Sequence, residues 1–144
     1  MKRVLPFAIL LILSVSLAAL AEQAVRFGDV EVHYNAMLTV DLQPEVARAY
    51  GIDRSNNRGL ATLAVLKKNA AGVAQPIKAA VNVSSVNAVG QVATVSMREI
   101  QEQAAIYYIG TFRVGAEETL KFKVEVTPEG GGARKFEFQK AFFP

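Results

Sequence analysis

Residues 30–42 read V-E-V-H-Y-N-A-M-L-T-V-D-L. Val30, Val32, Tyr34, Ala36, Leu38, Val40 and Leu42 are apolar or small. Glu31, His33, Asn35, Thr39 and Asp41 between them are polar, and Met37 alone breaks the pattern. A period of two puts successive side chains on opposite faces and predicts a half-buried β-strand. At about 3.3 Å per residue the run spans roughly 40 Å, about twice a usual strand. The strand is therefore expected to bend midway or to pass from one sheet to another.

The same period recurs down the chain. Ile77, Ala79, Val81 and Val83 alternate with Lys78, Ala80 and Asn82. Ala93, Val95 and Met97 alternate with Thr94, Ser96 and Arg98 in a single run over 92–100. Residues 105–114 are strand-like and aromatic, with Ile106, Tyr108, Phe112 and Val114 in phase. Leu120, Phe122, Val124 and Val126 alternate with Lys121, Lys123, Glu125 and Thr127 up to Pro128, and Phe136, Phe138 and Phe142 carry the last strand. The run Leu60–Leu66 is apolar on both faces and short, which predicts a central strand covered on both sides.

Between these runs lie turn signals: Gly28-Asp29, Asn69–Gly72, Asn87–Gly90 and Glu129–Ala133. Residues 22–29 read as a lead-in. Residues 43–51 predict the one short helix. Pro44 suits its first position, Glu45 its positive N-terminal end, and Gly51 the left-handed residue after it. Val46 and Tyr50, four apart, are expected to seal an end of the core. The fold class is all-β: a single antiparallel β-sandwich of about seven strands, immunoglobulin-like in architecture, with one short helix.

The first residues do not fit that domain. Lys2 and Arg3 precede an apolar run over 4–17, and Ala19-Leu20-Ala21 follows. That order predicts a signal peptide over 1–21 with cleavage after Ala21, leaving 22–144 as the sandwich. The run is shorter than the ~20 apolar residues of a spanning helix, so no stable membrane span is expected after cleavage. Removing Lys2 and Arg3 takes 16 basic residues to 14 against 13 acidic, lowering the net charge from +3 to +1. The domain thus carries no basic excess of the kind that nucleic acid selects. With no cysteine, an exported domain must stand on its hydrophobic core, without disulfides.

The chemistry on offer is sparse. His33 is the sole histidine, and with no cysteine a structural zinc site lacks ligands. No nucleophile elbow, calcium loop or glycine-rich phosphate loop occurs. Asn82-Val83-Ser84 matches a glycosylation sequon. The densest polar passage is Asp53-Arg54-Ser55-Asn56-Asn57-Arg58-Gly59. Arg54 and Arg58 can present a fork of donors to a carboxylate, phosphate or sugar. The competing reading is structural: Arg58 pairs with Asp53 or Glu99, and Asn57 closes the turn. Alternation puts Tyr107 and Tyr108 on opposite faces, one of them in the core.

Several segments together resemble a known family. Phe27–Ala36, Pro44–Gly51, Arg54–Leu60, Arg98–Ile100, Ala105–Gly110 and Glu117–Leu120 are similar, in order, to domain of unknown function 4426, an exported proteobacterial family. The resemblance implies a periplasmic or envelope location in a Gram-negative bacterium. It implies no activity and transfers no functional residue. The first expectation is a periplasmic, non-catalytic binding or interaction module without cofactor or metal. Its candidate site is Arg54, Asn57 and Arg58, and its partner an envelope protein or envelope component. The alternatives are a small envelope hydrolase using carboxylates or His33, and a structural or chaperone-like accessory acting through an exposed edge such as Phe136–Phe142.

Overall fold

The computed structural model describes residues 23–143, and the expected signal peptide lies outside them. Ten strands and one helix follow in order: β1 Gln23–Phe27, β2 Val30–Leu38, α1 Pro44–Tyr50, β3 Arg58–Lys68, β4 Ala74–Pro76, β5 Ala79–Val86, β6 Val92–Val95, β7 Arg98–Glu102, β8 Ala105–Arg113, β9 Glu118–Pro128 and β10 Arg134–Phe142. A six-stranded sheet runs β1-β2-β3-β8-β7, with β4 also paired to β3; a four-stranded sheet runs β10-β9-β5-β6. Every pairing among these strands is antiparallel. The two sheets form a β-sandwich.

Alternation decides which side chains enter the space between the sheets. Val30, Val32, Ala36 and Leu38 of β2, Ala61, Leu63 and Val65 of β3, and Leu120, Phe122, Val124 and Val126 of β9 make one core cluster. Phe122 is fully buried. Its ring stacks on Phe138 at 4.8 Å and meets Phe112 edge-on at 5.0 Å. Tyr34 continues the row between Phe136 and Phe138, at 5.0 and 4.5 Å. These are the offset and edge-to-face spacings that aromatic quadrupoles favour.

β3 is central, between β2 and β8, but its outer face is fully covered only at Leu60, while Thr62, Ala64 and Leu66 are half-buried. Its odd residues face the other sheet. Leu60, on the other face, joins Ala47, Ile52 and Ile109 in a second cluster with Met37, Leu42, Tyr50 and Ile100. Helix α1 thus packs on the outer face of the six-stranded sheet and does not seal an end of the main core. Ala47 is its buried contact. Gly51 ends the helix at φ 65°, and its N–H bonds the Ala47 and Arg48 carbonyls, the left-handed cap that glycine adopts at least cost.

Three strand expectations change. The long strand stops at Leu38, and Thr39–Asp41 form a 3-10 turn. Thr39 is completely buried, and its hydroxyl is engaged by Ser55, which draws the chain off the sheet. The run over 92–100 is the segment that changes sheets: β6 belongs to the four-stranded sheet and β7 to the six-stranded one. Gly110 of β8 lies beneath this crossover. A Cβ there would stand 2.6 Å from both Met97 Sδ and the Ser96 carbonyl oxygen, so only glycine fits. The lead-in also holds a strand, β1, paired to β2 across the Gly28 turn.

Truncating the ring at the centre of the aromatic row tests this account. Phe122→Ala is expected to cost about 3–5 kcal/mol of unfolding free energy, from lost burial plus an unfilled cavity. A urea denaturation curve measures it.

Candidate functional site

The loop over 51–57 is pinned to the 3-10 turn after β2. Thr39 Oγ1 accepts the Ser55 N–H at 2.9 Å and donates to the Ser55 carbonyl at 3.2 Å. Arg54 Nη2 donates to the Val40 carbonyl at 2.7 Å. Ser55 Oγ accepts the Asn57 N–H at 3.1 Å, and the Asn57 carbonyl accepts the Val114 N–H at 2.9 Å. Arg54 is therefore committed to loop closure, whereas Asn57 and Arg58 reach the sandwich end.

There a cleft of about 660 Å³ opens between the sheets. On one side stand Ser55, Asn57, Arg58, Arg113, Val114 and Gly115. On the other stand Ser85, Asn87, Gln91, Val92 and Ala93 of the β5–β6 hairpin, with Glu118 and Leu120 of β9. The β3–β8 register places Arg58 directly opposite Arg113. Residues opposite each other share a face, and two like charges in that position repel. Neither guanidinium has a hydrogen bond or ion pair among the described residues. Arg58 does not pair with Glu99. Glu99 instead receives the Tyr108 hydroxyl at 3.1 Å and faces Lys78 at 3.9 Å. Glu118 lines the cleft, and its Oε2 accepts the Gly115 N–H at 2.6 Å.

The hairpin wall is stiff. Asn87 Oδ1 accepts the N–H groups of Val89 and Gln91 at 3.2 and 2.9 Å, and Asn87 Nδ2 donates to Gln91 Oε1 at 2.8 Å. The site thus joins Asn57 and Arg58, read from sequence, to Arg113, which was not. Nothing local marks Arg113; only the strand register brings it to Arg58.

Other polar groups lie elsewhere. His33 Nε2 is 3.0 Å from Glu31 Oε1 on the outer face of β2, and Glu31 also meets Arg26 at 3.6 Å. Among the described residues no group of three or more His, Cys, Asp or Glu is arranged to hold a metal ion. Tyr108, the core member of the tyrosine pair, accepts the Ala79 N–H at 2.8 Å and so ties β8 to the start of β5. Burial pushes its hydroxyl pKa up, the Ala79 N–H pulls it back, and Glu99 adds to the rise. Tyr50 donates to Glu102 Oε1 at 2.5 Å, and Arg98 Nη2 donates to the Tyr50 carbonyl. The Glu102 hydrogen bond, with burial, pushes the Tyr50 pKa from 10.0 up to about 12.

The family model for DUF4426, a domain of unknown function, matches residues 24–144. The chain belongs to the DUF4426 family. A DUF4426 family protein from Pseudomonas aeruginosa PAO1, known from a crystal structure, is 37% identical, with a TM-score of 0.73; the alignment covers 85% of this chain and 95% of that one. FetP of uropathogenic Escherichia coli strain F11, obtained by recombinant expression in the periplasm, is 11% identical with a TM-score of 0.61, covering 84% of this chain and 93% of that one. A copper-bound variant of FetP is 13% identical, with a TM-score of 0.59 and coverage of 85% and 95%. At those identities the FetP likeness is one of fold. No curated protein matches the chain. No helix among the described residues is long and apolar enough to cross a membrane.

Two outcomes check the site's scaffold. Thr39→Val leaves the Ser55 N–H and carbonyl without their partner and is expected to cost about 1–3 kcal/mol, read from the urea midpoint. Tyr50 has a folded-state pKa above its unfolded value, so its contribution is complete below pH 10.0 and is lost as pH rises toward about 12. Glu102→Gln is expected to bring Tyr50 ionisation back toward 10.0, read from tyrosinate absorbance.

Proposed function

We propose that this DUF4426 protein is an exported, periplasmic, non-catalytic binding module that takes an anionic ligand in the cleft at the sandwich end. One observation carries the reading: Arg58 and Arg113 are opposed across β3 and β8 at the cleft, without a charge partner among the described residues. Two arginines paired in register offer two planar forks of donors, and such forks suit carboxylate or phosphate oxygens. Asn57 and Ser55 add neutral polar groups beside them. A cleft of about 660 Å³ falls within the range of small-molecule sites.

The cleft supports binding over hydrolysis. Its lining holds a single carboxylate, Glu118, and no histidine, whereas glycoside hydrolysis uses a carboxylate pair. His33 sits with Glu31 on the outer face of β2. The periplasmic location rests on the charged start, apolar run and Ala19-Leu20-Ala21 of the predicted signal peptide. The copper of the FetP variant belongs to that protein, and the fold likeness does not bring it here.

The test is a titration of the isotope-labelled mature chain with sodium phosphate and with sodium acetate at constant ionic strength, followed by NMR. Saturable shifts are expected at the amides of Asn57, Arg58, Arg113 and Gly115. Arg58→Ala/Arg113→Ala is expected to abolish them while melting no lower than the wild type, because a like-charge pair is relieved. Shifts that persist in the double variant, or that never saturate, overturn the reading.

A further inference from the structure

We infer that this protein pairs with a second copy of itself through the edge of β10, forming one continuous antiparallel sheet across a two-fold axis at Phe136. The surface is separate from the cleft. β10 ends the four-stranded sheet. Its nine residues pair one-to-one with β9, from Arg134 opposite Val126 to Phe142 opposite Glu118, without a bulge. No proline or glycine interrupts it. Among the described residues no strand pairs with its other side, so a row of backbone N–H and C=O groups faces outward there. Proteins blunt such edges, often with an inward-pointing charge. Lys140 is that device here: it stands in the inward phase of Phe136 and Phe138 and is nonetheless exposed. It guards only the C-terminal half.

The N-terminal half reads R-K-F-E-F over 134–138, and that run complements itself when reversed. Directly opposite residues of an antiparallel pair share a face. With the axis at Phe136, Lys135 of each copy stands opposite Glu137 of the other. Arg134 stands opposite Phe138, whose ring face attracts a guanidinium, and Phe136 meets its own equivalent. The neighbours within each chain extend the pattern. Lys135 pairs with Glu125 at 3.4 Å, and Glu137 lies opposite Lys123. The row across the joined sheet thus runs Glu125, Lys135, Glu137, Lys123, alternating in sign at the join. An axis at Glu137 sets that carboxylate against itself, and an axis at Phe138 joins no opposite charges. The axis at Phe136 also moves Lys140 out of the ladder, opposite Gly132 in the loop.

The inner side of the same edge is aromatic and half-open. Phe136 and Phe138 are half-buried. Phe136 stands 5.0 Å from Tyr34 and 6.3 Å from Phe27, both also half-buried. Phe27 belongs to β1, the edge of the facing sheet, so this side of the sandwich presents two open edges with an aromatic row between them. A second copy satisfies the outward backbone groups and covers the row, and aromatic residues are enriched at protein interfaces. An unrelated extended strand supplies the backbone bonds without the matched charges. Pairing over 134–138 leaves the cleft open, because Glu118 and Leu120 of its lining lie opposite Phe142 and Lys140, toward the other end of β10.

The experiment is sedimentation equilibrium of the mature chain from micromolar to millimolar concentration, with amide hydrogen exchange read in parallel. A monomer–dimer equilibrium is expected, with concentration-dependent protection at the outward amides within 134–138. Lys135→Glu and Glu137→Lys are each expected to weaken the dimer about tenfold or more, because both symmetric pairs become like-charged. Mixing the two variants in equal amounts is expected to restore a dimer, since each carries the charges that the other lacks; a folding defect is not rescued in this way. Melting curves establish that each variant is folded. A monomer at every concentration overturns the inference and leaves the edge to a strand of another protein. A dimer that both charge reversals leave unchanged places the contact on another face and overturns it. Folded variants whose mixture stays monomeric overturn the register at Phe136, and with it the inference.

Discussion

The ring of Phe112 occupies the space that a side chain on residue 59 would need. A Cβ on Gly59 would lie 2.2 Å from two of its ring carbons. Gly59 and Phe112 are also register partners across β3 and β8. The glycine therefore does more than tolerate a close approach. It lets the Phe112 ring lie over the backbone of β3 and reach Phe122 and Phe142 in the opposite sheet, at 5.0 and 5.6 Å. A one-residue slip between β3 and β8 would turn Phe112 away from the core and move a bulkier residue under it. The register is fixed by that cost. The next pair along is Arg58 and Arg113, so core packing sets the geometry of the cationic rim.

The same economy holds the rest of the site in place. Thr39 is a fully buried hydroxyl, and an unsatisfied one would be costly. It is satisfied on both sides by the backbone of Ser55, which anchors the loop that delivers Asn57 and Arg58. Arg54 completes the anchor at the Val40 carbonyl. The cleft wall across the sandwich is rigid for a different reason: one asparagine, Asn87, supplies the turn's acceptors. Both walls are thus set by hydrogen bonds within the chain itself.

Much of this architecture is legible in the chain because it is local. The alternation in Val30–Leu38, the doubly apolar run of β3, the Pro44 and Gly51 ends of α1, and the Pro128 stop all report conditions satisfied within a few residues. The failures are equally physical. Alternation identifies a strand but not its sheet, so the crossover at Ser96 and Met97 continues the phase of β6 and leaves no break to read. Thr39 in its alternating run is indistinguishable from a surface threonine, because its partner lies 16 residues away. The site was half legible for the same reason. Asn57 and Arg58 stand in a conspicuous polar loop, but Arg113 closes an aromatic strand and gains its role only through pairing.

The two arginines of the loop show why sequence proximity misleads about a shared task. They are four residues apart and the obvious fork, yet Arg54 lies before β3 and is drawn to a carbonyl on the β2 side, while Arg58 is the first residue of β3 and inherits the partner that the sheet assigns. One guanidinium is consumed by the fold, and the other stands at the cleft. The comparison with FetP follows the same logic. A sandwich preserves which strands neighbour which, as the shared fold at 11% identity attests, while the residues at strand ends decide the chemistry. On this chain those ends carry two arginines paired in register, and the one histidine stands on the outer face of β2 beside Glu31. The function carried by the strand ends must therefore be argued from those residues.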